Sequence, residues 1–118
     1  MGPDNARLQD VRAWLTKAKL DLRAAAHEAS APAEGLWGDV LFHAQQAAEK
    51  SLKAFLAWHD ESLRVVADRA SPLSEYAWKF RYPGEVDEPE RAEAEAALAA
   101  AQSIYEAILT RLPAQTQP

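Results

Sequence analysis

Apolar residues recur along the chain at intervals of three and four, the period of helices rather than strands. Leu8, Val11, Leu15, Ala18, Leu22, Ala25 and Ala29 make one unbroken stripe. It predicts a first helix over residues 5–29, capped by Asp4 or Asn5, with Asp21 and Arg23 turned away from the stripe. Pro32 and Gly35 punctuate a linker over 30–35, and Gly38-Asp39 offers a cap for a second helix over 40–58. At about 100° per residue, Val40, Leu41, Ala44, Ala47, Ala48, Ser51, Leu52 and Phe55 fall on one side of it. His43, Gln45, Gln46, Glu49, Lys50 and Lys53 fall on the other, with Phe42 among them. Leu63, Val66, Ala70, Leu73, Ala77 and Phe80 predict a third helical region over 62–80, kinked or restarted at Pro72 with Ser71 as cap and stopped by Tyr82-Pro83-Gly84. An acidic loop follows over 85–88. Pro89 then suits the first position of a fourth helix over 89–112, whose seam is Ala94, Ala97, Ala101, Ile104, Ile108 and Leu112. Residues 113–118 read as a mobile polar tail.

No stretch alternates in the manner of a strand, so the expected fold is all-α, an antiparallel up-and-down four-helix bundle in one domain over 1–118. Bundle burial alone stabilises a chain of 118 residues only modestly, so a homodimer that extends the core is expected. Charge narrows the partners. With 13 Lys and Arg against 18 Asp and Glu, the net charge is -5, which speaks against a bulk nucleic-acid coat or a polybasic membrane binder. Any phosphate contact must come from a local cluster. The absence of cysteine removes disulfides, thiolate nucleophiles and thiolate zinc sites. No run of about eighteen apolar residues is present and the start lacks the regions of a signal peptide, so the expected location is the cytoplasm, with no membrane contact.

The candidate chemistry lies on helix two. His43, Gln46, Lys50 and Lys53 are spaced three, four and three apart, so one helix face carries an imidazole, an amide and two ammonium groups. Such a face can grip a phosphate or the edge of a base; equally it can be a solvated face or a buried polar layer. Gln45 and Glu49 border the apolar side and need partners if buried, because an unpaired buried amide costs about 1–3 kcal/mol. A second cluster, Tyr76 to Gly84, sets Arg81 and Tyr82 among aromatics at a helix end, where an Arg can bind phosphate in two-pronged fashion, stack on a base or cap helix carbonyls. His27, His43 and His59 share no metal-site spacing, so no metal and no cofactor are expected. There is no Gly-rich phosphate loop, and no serine has a nucleophile-elbow context. The four tryptophans, at 14, 37, 58 and 78, read as core and interface anchors.

These residues resemble the small prokaryotic HEPN domains. Trp14-Leu15 through Ala18, Asp21-Leu22 and Ala25 is similar to the first helix of that family. Phe42-His43-Ala44-Gln45-Gln46-Ala47-Ala48-Glu49-Lys50-Ser51-Leu52-Lys53-Ala54 is similar to its helix-two signature. Tyr76, Arg81-Tyr82-Pro83-Gly84, the acidic loop and the Ala-rich last helix resemble its C-terminal half. The resemblance implies a dimerising bundle of four to five helices, paired with a minimal nucleotidyltransferase in modules of toxin–antitoxin type, with a role in binding nucleotide or RNA. It carries His43, Gln46, Lys50, Lys53, Arg81 and Tyr82 as ligand-binding positions. Ribonucleases of the family use an Arg followed, after four to six residues, by a His. Here Arg23 and His27 have three residues between them, and no His follows Arg64, Arg69 or Arg81. No catalytic residue is therefore assigned. Relatives also carry a further stretch before the helix of Tyr76, whereas here His59-Asp60-Glu61 runs almost directly into Ser62-Leu63-Arg64. A segment absent between Glu61 and Ser62 would leave their Cα atoms farther apart than the ~3.8 Å of a normal peptide.

Three functions compete on this reading. One is a non-catalytic module that docks a nucleotidyltransferase and holds a nucleotide. A second is a ribonuclease with a non-standard pair such as His43 and Arg81. The third is an interaction bundle whose motif residues are only core and interface.

Overall fold

A computed structural model describes residues 3–59 and 89–118. Among the described residues there are three helices and no strand: α1 (Pro3–Ala29), α2 (Trp37–His59) and α3 (Arg91–Thr110). The third helical region over 62–80, Trp78, Arg81, Tyr82, the acidic loop and the Glu61–Ser62 junction lie outside the described residues.

Helix starts differ from the sequence expectation by a few residues. Helix α1 begins at Pro3, where a ring-fixed φ and a missing N–H suit the first helical position, so Asp4 and Asn5 lie inside the helix rather than capping it. Helix α2 begins at Trp37, with the Val40 N–H already donating to the Leu36 carbonyl at 3.0 Å, so Gly38-Asp39 forms its first turn. Helix α3 begins at Arg91 with Glu90 in the capping position, two residues after Pro89. Between α1 and α2 the chain turns through a 3-10 turn, Pro32–Glu34, closed by Gly35 at φ +64. That left-handed conformation favours glycine whatever the space around it.

Four interhelix contacts fix the sense of the first pair. Arg7 reaches the Trp58 carbonyl, Trp14 meets Lys53, Asp21 meets Lys50, and Glu28 approaches His43. As the α1 number rises the α2 number falls, so the two helices are antiparallel. Arg91 over the Trp37 ring, 5.5 Å from its centroid, sets the start of α3 beside the start of α2, so those two run the same way. The α1–α2 contact is the most extensive, followed by α2–α3.

The core follows the stripes. Val11, Leu15, Ala18, Leu22 and Ala25 are buried on α1, and Val40, Leu41, Ala44, Ala47, Ala48, Ser51, Ala54 and Phe55 on α2. The many alanines at the seam let the backbones approach closely. On α3 the buried set is Ala94, Ala97, Leu98, Ala101, Tyr105 and Ile108, with Leu112 buried just past the helix end, while Ile104 sits half-buried at the edge. Neighbours such as 104 and 105 lie 100° apart, so packing decides which of them faces inward. Trp14, Trp37 and Trp58 pack partly buried against this core, as anchors.

Ala114–Thr116 forms a second 3-10 turn that packs on α1. Thr116 is wholly buried, its hydroxyl donating to the Pro113 carbonyl at 2.6 Å, and the Gln117 amide donates to the Leu109 carbonyl at 3.4 Å.

Candidate functional site

The polar face of α2 turns toward α1. His43 and Lys50, seven residues apart and so on one side of the helix, converge on a single carboxylate, that of Asp21. Nδ1 of His43 lies 3.0 Å from Oδ1 of Asp21, and the ammonium of Lys50 donates to Oδ2. An ionised carboxylate only accepts, so Nδ1 carries the proton in this contact. The other imidazole nitrogen, Nε2, faces Glu28 Oε1 at 4.0 Å, too far for a hydrogen bond. Oε2 of Glu28 is buried with no partner among the described residues. The Phe42 ring lies edge-on to the imidazole, with centroids 5.5 Å apart, while Phe42 itself is 55% exposed.

Burial decides what this cluster is worth. The Asp21 side chain is 12% exposed, Lys50 24% and His43 29%. These are neither rim charges in water nor a sealed core pair, so their attraction is partly screened and their desolvation partial. Their chemistry is that of an interhelix tie: one carboxylate satisfied at both oxygens by donors from the facing helix.

Lys53, the fourth member of the sequence-predicted face, leaves this group. Its ammonium lies over the Trp14 ring of α1 at 4.8 Å, and Lys17 approaches the same ring at 5.6 Å. Neither lysine pairs with a carboxylate among the described residues. The structure thus divides the predicted face in two. His43 and Lys50 meet at Asp21, Lys53 joins Trp14 and Lys17, and Gln46 is half-buried on α2. Arg81 and Tyr82 fall outside the described residues. Gln45, on the other flank, has its amide nitrogen buried without a partner among the described residues. His27 and His59 are exposed, and His59 has its ring 4.2 Å from that of Phe55.

Comparison with known proteins bears on the same helices. Residues 11–64 match the HEPN domain family, a stretch that contains Asp21, Glu28, His43, Lys50 and Lys53. That match supports a HEPN domain over these residues. No curated protein and no solved structure gives a significant match.

Sequence reasoning missed the α1 half of this cluster. Arg7, Trp14, Asp21 and Glu28 recur every seven residues, each just before a member of the seam series Leu8, Leu15, Leu22 and Ala29. A stripe flanking an apolar seam at heptad spacing is where helix pairs place their interhelix ion pairs. Read with His43 and Lys50, also seven apart, it contains the pairing. Among the described residues no group of three or more His, Cys, Asp or Glu side chains is placed to hold a metal ion, and no helix is long and apolar enough to cross a membrane.

Proposed function

We propose that this HEPN protein is a non-catalytic accessory module that holds a nucleotide or an RNA phosphate and docks a minimal nucleotidyltransferase, as a homodimer in a cytoplasmic system of toxin–antitoxin type. One observation supports the ligand half: Lys17 and Lys53 come from two helices to the single indole of Trp14, and neither has a carboxylate partner among the described residues. Two ammonium groups beside an aromatic ring, with no carboxylate partner among the described residues, suit a ligand that joins negative charge to a flat base. In a chain of net charge -5, such a pair makes a local positive site that bulk charge would not supply. His43 and Lys50 contribute less than their spacing suggested, because Asp21 already neutralises them. The nucleotidyltransferase partner and the dimer rest on the family resemblance. The four-helix bundle that goes with it is supported by α2 and α3 running in the same direction.

Calorimetric titration of the full chain with nucleoside triphosphates and a short single-stranded RNA tests this. Binding that weakens at least about tenfold in Lys17→Ala/Lys53→Ala, with steep salt dependence, is the expected result. No heat with any of these ligands, with and without the nucleotidyltransferase, removes the ligand half.

A ribonuclease using His43 with Arg81 is the second reading, and the Asp21–His43 bond favours it. A carboxylate that fixes the tautomer and orientation of an imidazole is the usual support of a general base. Cleavage of single-stranded RNA by the wild type but not by His43→Ala would select it; equal and negligible cleavage by both selects the binding module.

A further inference from the structure

The two donors of α2 and the carboxylate between them have the form of a ligand in a site. Asp21 comes from another helix, presents both oxygens, and receives one donor on each: Nδ1 of His43 at 3.0 Å and the ammonium of Lys50. The donors stand seven residues apart on one face of α2, the spacing that reads from sequence as a grip for an anion. We propose that His43 and Lys50 form a binding site for one small oxyanion, and that the Asp21 carboxylate of α1 occupies it from within the chain. An external carboxylate or phosphoryl group can take the two donors only by displacing Asp21, so α1 acts as an internal competitor.

The physical argument is one of compensation. Lys50 is three-quarters buried, and removing its carboxylate leaves a partly desolvated cation without a counter-ion. Glu28 does not replace the lost group, since it stands 4.0 Å from Nε2 of His43, on the side away from Asp21. A dissolved oxyanion that fits the space left by the carboxylate then binds the folded state and stabilises it by mass action. The inference is independent of whether the protein serves a nucleotidyltransferase, because it concerns His43, Lys50 and Asp21 rather than the Trp14 pair.

The test is chemical rescue of the full chain. Thermal unfolding of wild type, Asp21→Ala and Asp21→Asn is measured in sodium formate, in sodium phosphate and in sodium chloride at matched ionic strength. Formate stands for the excised carboxylate and inorganic phosphate for a nucleotide's phosphoryl group. Asp21→Ala is expected to gain about 4 °C or more in formate over chloride at tens of millimolar. Wild type, whose site the carboxylate fills, gains nothing beyond the general salt effect, and Asp21→Asn, which fills the space without the charge, gains less than Asp21→Ala. A gain in phosphate as well assigns the phosphoryl source; a gain in formate alone assigns a carboxylate source. The gain disappears in Asp21→Ala/Lys50→Met. If Asp21→Ala folds only with formate or phosphate present, the proposal stands. Equal response of wild type and Asp21→Ala overturns it, as does retention of the gain without Lys50. Failure of both Asp21→Ala and Asp21→Ser to fold in any of these salts overturns it too.

Discussion

Replacing Lys50 by Met asks how much the Asp21 tie contributes to joining α1 and α2. Met retains most of the apolar stem, so the change removes the ammonium and little of the packing. An exposed ion pair contributes about 0.2–1 kcal/mol, whereas breaking a fully buried pair costs about 3–5 kcal/mol. With Asp21 12% exposed and Lys50 24%, the pair lies between these limits, and Asp21 keeps its bond to His43. The expected loss is about 1–2 kcal/mol, or a fall of about 4–8 °C in Tm for a chain of this size. Urea unfolding should move the midpoint to lower concentration and leave the slope unchanged. The pair term is isolated by a cycle with Asp21→Asn, for which a coupling of about 1 kcal/mol is expected. A Lys50→Met variant within about 0.3 kcal/mol of wild type, together with no coupling in the cycle, would refute the reading of these residues as an interhelix tie.

Leu15 is completely buried at the α1 seam, so Leu15→Ala should destabilise by about 3 kcal/mol through lost transfer energy and the cavity left behind; loss under about 1 kcal/mol in urea unfolding would place it outside the core. Burial pushes the Tyr105 phenol above the usual tyrosine value. Its folded form therefore holds the proton longer than the unfolded chain does. The stability this contributes is complete below the usual tyrosine value and is lost as pH rises through and beyond it. Absorbance titration near 295 nm should show Tyr105 ionising late, and a Tyr105→Phe variant should lose less stability than wild type at alkaline pH; identical alkaline unfolding of the two would argue against the burial.

The helices were legible because apolar periodicity and burial record the same physics. The stripe from Val11 to Ala25 is the buried face of α1, and seven of the eight residues placed inward on α2 are buried, Leu52 lying half-buried at the margin. The ends were less legible. Pro3 and Trp37 start their helices ahead of the expected caps, since a cap residue is a preference worth about 1 kcal/mol and tertiary contacts override it. The tail was less legible: composition counts Thr116 as polar, yet the fold buries it. For the site, the α2 donors were visible and the α1 acceptor was not. Asp21 and Glu28 flank the apolar seam rather than oppose it, and a reading that treats each helix by itself assigns such positions to solvent. Spacing on one helix identifies what converges; it does not identify what they converge on. Lys53 shows the same limit, because one more turn along α2 carries it past Asp21 to Trp14.

The account depends most on His43 and Lys50 being turned toward α1 and held by Asp21. Long-range proton–nitrogen NMR of the His43 ring tests this directly. The account predicts a proton fixed on Nδ1 in the neutral ring, protected from fast exchange and lost as a distinct signal in Asp21→Ala. A ring that carries its proton mainly on Nε2, exchanges freely and does not respond to Asp21→Ala would contradict it.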